Sequence, residues 1–362
     1  MAAAFILSGC GEAPSVPPPA PEYAAPSPAP EITPPPTVEP TPVPTPADEY
    51  FTLSFCGDCT LSSSQREESF EYTVAGRMDY PFSGVREYFE DDYLTIANLE
   101  CVLSDRELTG SATFLFRGAA SNAAMLSEGG VELVSLGNNH AVDFGQAGLD
   151  DTRAALDYHG VAHAGSDSSY VYQSGDGISV GVYAAPWCAT EYQLRAGVSA
   201  LAAREDVDLV VCLVHWGDEG TYRANWSQTA LGRAAIDAGA DIVCGSHPHT
   251  LQPIEEYGGG YIAYSLGNFV FGGNTAPSDR DTAILRFTVK RAADGGVTVE
   301  GWEAVPCSVS STAVINDFRP EPYEPGSAEY ERAMSKLTGS FTGPDLNIDY
   351  SEFHEGGAEN ES

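Results

Sequence analysis

The run Ala240-Asp241-Ile242-Val243-Cys244-Gly245-Ser246-His247-Pro248-His249 begins as an apolar strand and stops at two imidazoles separated by one proline. Four further apolar runs end in the same way, on residues able to bind a cation. Phe51–Cys56 leads into Asp58, Leu94–Leu99 into Glu100, Val131–Leu136 into Asn138-Asn139-His140, and Val207–Val214 into His215. Each has a plainer reading when taken singly. His215 would be a hydrogen-bonded histidine beside Trp216, and Asp58 and Glu100 would be helix caps or solvated loop acids. Their coincidence at five strand ends is better explained by ligands gathered outside the carboxyl edge of an α/β sheet. Two carboxylates, a carboxamide and three imidazoles suit Mn²⁺, Fe or Zn²⁺ better than Ca²⁺ or a thiolate-bound structural zinc. The set is large enough for one or two divalent ions, which together activate water and stabilise charge on a phosphoryl or acyl oxygen.

Several of these runs are apolar on both faces, and such strands require helices on both sides of a sheet. Ala119–Glu128, Gln146–His159 and Trp226–Ala238 have the length and spacing for those helices, the last with Gly239 as its stop. The alternation predicts α/β layers. Tyr261–Phe271, Ile284–Lys290 and Val297–Val305 are predicted as later strands that build a second sheet, with Gly267-Asn268-Phe269 either on the rim or in a turn.

With 362 residues, 43% of them hydrophobic, the chain can bury a large core. A formal charge of −35 argues against nucleic acid or an anionic membrane surface as the main partner. Leu7-Ser8-Gly9-Cys10 resembles a bacterial lipobox, although its apolar stretch is short for a signal sequence and no basic residues precede it. It predicts an extracytoplasmic protein anchored to the membrane through lipidated Cys10, with residues 1–12 as the remnant of a lipoprotein signal. Residues 13–48 form a Pro-rich linker without apolar periodicity, and residues 49–338 the folded domain. An acidic, loosely ordered tail occupies residues 339–362. At roughly 3.1 Å per residue, the linker would reach on the order of 100 Å.

Asp58 in FCGDCTLS, Asn98-Leu99-Glu100, the run SLGNNHAVDFG, His215-Trp216-Gly217-Asp218-Glu219, and GSHPHTLQPIEEY followed by YSLGNFVF together resemble the CapA/PgsA-type proteins of bacterial poly-γ-glutamate capsule synthesis. The resemblance runs from about Phe51 to Phe271. It implies a four-layer α/β/β/α sandwich, similar to calcineurin-like metallophosphoesterases with their binuclear metal centre. By that pattern Asp58 ligates a first metal and Glu100 bridges. Asn139, His215 and His247 serve a second metal, and His249 returns to the first. His140 matches the position that contacts substrate and protonates a leaving group. Asp143 either orients it or caps the following helix.

This chain departs from the wider pattern at two places. Thr60 stands where metallophosphoesterases usually have a histidine, and Glu100 replaces an aspartate, moving the carboxylate by about one methylene. If Asp58 and Glu100 share a cation, Cys59 and Cys101 lie one residue beyond each, and a disulfide or an extra soft ligand is expected there. Cys56 and Cys59 also form a C-x-x-C, a weak redox signal that leaves the histidines unexplained.

Two functions are therefore expected from the resemblance. One is a metal-dependent hydrolase acting on a phosphoester or an anionic polymer with γ-glutamyl or cell-wall amide bonds. The other is a non-catalytic, metal-dependent polymer-binding or export component of the capsule synthesis machinery.

Overall fold

The computed structural model describes residues 16–22, 24, 27, 47–64, 69–110, 113–165 and 168–348. Cys10, most of the predicted linker and residues 349–362 lie outside the described residues. The described residues from 47 to 348 form one compact unit.

The first part of this unit comprises β1 (Glu49–Thr60), α1 (Ser69–Val74), β2 (Leu94–Leu99), the short pair β3 (Val102–Leu103) and β4 (Arg117–Gly118), α2 (Ala123–Gly129), β5 (Leu133–Ser135), α3 (Gly145–Tyr158) and β6 (Ala162–Ala164). A second run follows with β7 (Ser169–Tyr172), β8 (Val180–Ala184), α4 (Glu191–Ala202), β9 (Leu209–His215), α5 (Trp226–Asp237), β10 (Ile242–Ser246), β11 (Ile254–Tyr257) and β12 (Gly260–Ala263). The last elements are β13 (Asn268–Phe271), β14 (Asp281–Arg291), β15 (Val297–Ser308), β16 (Glu321–Pro322) and α6 (Ala328–Leu337).

Two sheets carry the fold. One has the order β16-β15-β14-β1-β2-β5-β6, with β13 also pairing with β1, and the other has the order β11-β12-β10-β9-β8-β7. The two-residue period of a strand divides their apolar residues between three cores. On β9, Leu209, Val211 and Leu213 point between the sheets to meet Leu53, Phe55 and Ile96 of the first sheet. Val210, Cys212 and Val214 point outward under Leu194 and Val198 of α4 and Ala234 and Ala235 of α5. On the far side of the first sheet, Ala97, Leu99 and Val134 pack under Leu126 of α2 and Leu149 and Leu156 of α3. The result is the four-layer α/β/β/α sandwich. Each fully buried side chain of this size contributes about 1.5–3 kcal/mol of transfer free energy. The helices begin where the sequence supplies caps: Thr190 with Gln193 closes a capping box on α4, and Asn225 with Gln228 does so on α5.

Three expectations about the elements are corrected. β1 does not stop at Cys56 but continues through Gly57, Asp58 and Cys59 to Thr60, because Asp58 pairs with Asn98 on one side and Asn268 on the other. Gly57 is required at this point, since a Cβ there would fall 1.9 Å from the Gly267 carbonyl oxygen. The predicted strand Tyr261–Phe271 is two strands in different sheets. β12 pairs with β10, the chain turns at Gly267 (φ +68°), and β13 joins β1. β14 and β15 do not build the second sheet, for β14 runs antiparallel to β1 and extends the first.

Cys59 and Cys101 are both free and buried. The register explains why, because Cys59 pairs with Leu99. Cys101 lies past the end of β2, outside that register, and the two thiols stay unbonded. A redox role for Cys56 and Cys59 finds no support either. Both lie inside β1 rather than at a helix start, and burial pushes the Cys59 thiol up to about 12.

Where composition predicts a loose tail from Gly339, the chain is held by hydrogen bonds as far as Leu346, whose N–H donates to the Gly220 carbonyl (2.9 Å). Before it, α6 is fastened by Lys336, whose Nζ lies 2.7 Å from both Asp279 and Asp281.

Candidate metal centre

Parallel strands β1, β2 and β5 of one sheet and β9 and β10 of the other end on the same edge of the sandwich and deliver their terminal residues to one place. Asp58, near the end of β1, is fully buried. Its Oδ1 accepts from Asn98 Nδ2 (2.8 Å), and its Oδ2 lies 3.2 Å from His249 Nδ1 and accepts the His247 N–H (3.3 Å). Glu100 follows β2 and is fixed by its N–H to the Cys59 carbonyl (2.8 Å). His215 ends β9, with Nδ1 2.8 Å from Ser246 Oγ and Nε2 3.2 Å from Glu100 Oε1. The latter pair is close but not aligned as a hydrogen bond, and both atoms remain unpartnered. The His215 and His247 rings are 4.7 Å apart, and those of His247 and His249 are 5.9 Å apart.

Asn138 ties the loop after β5 to this edge, donating from Nδ2 to Asn98 Oδ1 (3.0 Å) and to the Leu99 carbonyl (2.8 Å). Beside it, Asn139 has a buried Oδ1 with no partner. His140 Nδ1 lies 2.9 Å from Asp143 Oδ2, which leaves Nε2 as its free nitrogen, and the ring stands edge-on to Phe116 at 4.7 Å. Asp143 does not cap α3, whose N-cap is Phe144 without a side-chain bond. Its Oδ2 also accepts the Phe116 N–H (3.0 Å).

His247 (φ +97°) and His249 (φ +57°) both occupy the left-handed region, which costs about 1–3 kcal/mol for each such residue. A strand that ends by turning two imidazoles back over its own edge uses this strain to aim them. At this site five of the buried polar atoms among the described residues are without a hydrogen-bond partner: Glu100 Oε1 and Oε2, Asn139 Oδ1, His215 Nε2 and His247 Nδ1. Buried polar groups are normally paired, and an unpaired one costs about 1–3 kcal/mol. Two triads, Asp58–Glu100–His215 and Glu100–His247–His249, each hold their candidate ligand atoms within 4.8 Å, and Glu100 belongs to both. These mixed oxygen and nitrogen donors fit a divalent transition metal. The triads place His215 beside Asp58 and His247 beside His249, cutting across the division between two metals that the resemblance implies.

The electrostatics are those of ligands crowded together. Burial and then the Asp58 charge push the Glu100 carboxyl well above its ordinary range. Burial likewise pushes His215 and His247 down. His249 moves up because Glu100 and Asp58 outweigh its burial, and His140 moves up because the Asp143 hydrogen bond and the Glu100 charge do the same. Thr60 offers the site nothing, since its hydroxyl donates to the Glu100 carbonyl (3.0 Å).

Sequence reasoning gave Asn98 no role of its own and left Asn268 between rim and turn; both support the site. Asn98 holds Asp58 and sits 3.3 Å from His215, and Asn268 Oδ1 lies 2.9 Å from His249 Nδ1. The signal for Asn98 was its place two residues before Glu100 in an extended strand, hence on the same face. Trp187 follows a sixth strand end, that of β8, and sets its ring against His247 (4.8 Å) and His215 (5.4 Å) at the mouth of the site. A concavity of about 470 Å³ lined by Arg106, Asp151, Tyr158 and His159 among others shares no residue with this centre.

Residues 52–273 match the family described as "Bacterial capsule synthesis protein PGA_cap", and the chain belongs to that family. It is 29% identical over 290 residues to the capsule biosynthesis protein CapA of Bacillus anthracis, covering 72% of this chain and 68% of that protein. It is 32% identical over 222 residues to the PGA biosynthesis protein CapA of Bacillus subtilis (strain 168), covering 56% of this chain and only 55% of that protein. Among solved structures, the NAD nucleotidase NadN of Haemophilus influenzae is similar at a TM-score of 0.44 and 11% identity, over 85% of this chain and 59% of that one.

Proposed function

We propose, from its membership of the capsule synthesis family, that this chain is an extracytoplasmic hydrolase that acts on an anionic polymer or phosphoester with one or two divalent ions of the Mn, Fe or Zn type. The observation that carries the reading is Glu100, unpartnered at both oxygens and shared by two buried ligand triads. Asp58, Glu100, Asn139, His215, His247 and His249 would hold the ion or ions. Bound there, they would supply an activated water and a counter-charge for the oxygen on which negative charge develops.

The protein's own part in the chemistry falls to His140. Asp143 engages its Nδ1 and favours its charged form, so Nε2 carries a proton toward the leaving group. A chain of net charge −35 repels a polyanion everywhere except at a centre that carries cations, which confines binding to this rim. The lipobox-like Leu7-Ser8-Gly9-Cys10 supports tethering to the membrane and association with the capsule machinery there. Finding Cys10 without an acyl chain in membrane-fraction protein would remove the tether.

One observation favours a second reading, a metal-dependent polymer binder that does not turn over. Thr60, its hydroxyl committed to the Glu100 carbonyl, leaves the first position short of a ligand. Metal analysis of the purified protein, with a panel of phosphoester and γ-glutamyl substrates in Mn²⁺, Fe²⁺ and Zn²⁺, tests both. His247→Ala is expected to abolish metal-dependent turnover while circular dichroism stays unchanged. Turnover by the wild type that survives chelation would overturn the hydrolase reading, and chelator-sensitive polymer binding without turnover would establish the second.

A further inference from the structure

The backbone of His247 and His249 lies in the left-handed region, a geometry that persists only where the surroundings impose it. The restraint comes from the loop after β9, residues 217–223. Gly220 donates its N–H to the Pro248 carbonyl (2.8 Å), between the two histidines, and the Thr221 carbonyl accepts from Thr250 Oγ1 (2.7 Å) and Gln252 Nε2 (2.9 Å).

That loop is gripped from its other side by the segment after α6. Leu346 donates its N–H to the Gly220 carbonyl (2.9 Å), and Asp345 Oδ1 accepts the Tyr222 N–H (2.9 Å). The fit is close: at Gly220 (φ +75°) a Cβ would come within 2.9 Å of the Ile348 side chain. The segment is anchored in turn by Lys336, only 2% exposed, which reaches Asp279 and Asp281 and stands over the rings of Tyr222 (4.6 Å) and Phe341 (5.3 Å).

We infer that residues 341–348, beyond the region matched by the family, form a clasp that positions His247 and His249 for the metal by holding the loop at residues 217–223 in place. Asp345 is its key positioning residue. It touches no ligand atom and acts through Tyr222, Gly220 and Pro248. The inference rests on the metal-binding reading of the site.

The test is titration of the full chain with Mn²⁺ or Zn²⁺ by calorimetry, together with hydrogen exchange in EDTA. Asp345→Ala is expected to weaken metal affinity on the order of tenfold, as removal of a supporting hydrogen bond does elsewhere. It should also speed exchange in the peptides spanning 217–223 and 246–252. Asp345→Asn keeps an oxygen acceptor for the Tyr222 N–H and should restore both readouts. Leu346→Pro deletes the amide donor to Gly220 and restrains the backbone at Asp345 and at its own position, and it should repeat the Ala result, so it decides the matter if Asp345→Ala misfolds. Wild-type affinity and wild-type exchange in these variants would overturn the clasp. A wild type that binds no divalent ion would overturn the metal reading instead, with exchange still deciding the clasp.

Discussion

Replacing Glu100 by glutamine removes one charge while keeping the shape of the side chain, which separates what the site costs from what it is for. Both carboxylate oxygens are buried without partners, and burial and the Asp58 charge raise the pKa of the group. An acid whose folded pKa lies above its unfolded value costs nothing well below the ordinary carboxylate range. Its penalty then grows as the pH rises toward the folded value. A buried, uncompensated charge costs about 3–5 kcal/mol, and a buried amide lacking partners about 1–3. In EDTA near pH 8 the variant should therefore be about 2 kcal/mol more stable than the wild type, on the order of 5 °C in Tm. The gap should narrow toward pH 5 or so. Metal should invert the order, since an ion at about 100 times its Kd stabilises the wild type by about 2.7 kcal/mol. The variant has lost the ligand common to both triads. Thermal melts followed by circular dichroism across this pH range, with chelator and with Mn²⁺ or Zn²⁺, give the answer. A glutamine variant that is less stable in EDTA near pH 8, or that gains as much from metal as the wild type, would refute the reasoning.

His140→Asn should lower metal-dependent kcat by about 10²–10⁴ while leaving the metal Kd unchanged, as expected of a proton donor that is not a ligand. Asp143→Asn should fall between that variant and the wild type and shift the alkaline limb of the pH profile to lower pH, because Asp143 holds the ring through its 2.9 Å contact with Nδ1 and favours its protonated form. Lys336→Met should cost about 3–5 kcal/mol at neutral pH in a urea titration by leaving Asp281 with half of its cationic partners. Burial opposes the charge of Asp281, but the Arg332 hydrogen bond and the Lys336 charge outweigh it and hold the carboxyl below its usual value. Its contribution is thus present above about pH 4 and lost as the pH falls, and the Lys336→Met variant should show a shallower acid dependence there.

The chemistry of this protein was written at its strand ends. Runs apolar on both faces read as interior strands, so Asp58, Glu100, His215, His247 and His249 were legible as candidate ligands on one edge, while the choice of Asn139 over Asn138 came from the family resemblance. The same local pattern gave the helices closely: α3 and α5 begin and end within a residue or two of where the spacing and Gly239 place them. It failed wherever two sheets competed for one segment. Tyr261–Phe271 has a single apolar pattern, yet Gly267 lets the chain leave one sheet and enter the other, a choice made by available edges rather than by residue type.

By itself, then, the sequence determined the α/β layering and which donor-bearing residues stand at the strand ends, because periodicity and donor chemistry are properties of residues and their neighbours. Only the tertiary structure decided how the imidazoles divide between the two triads around Glu100, that Asp143 faces His140 instead of capping a helix, and that Cys59, paired with Leu99, stays unbonded to Cys101. It alone revealed the C-terminal segment holding the loop beside the histidines. Each of these depends on distances between residues far apart in the chain, set by how the strands align and how the sheets pack, and local pattern carries no record of either.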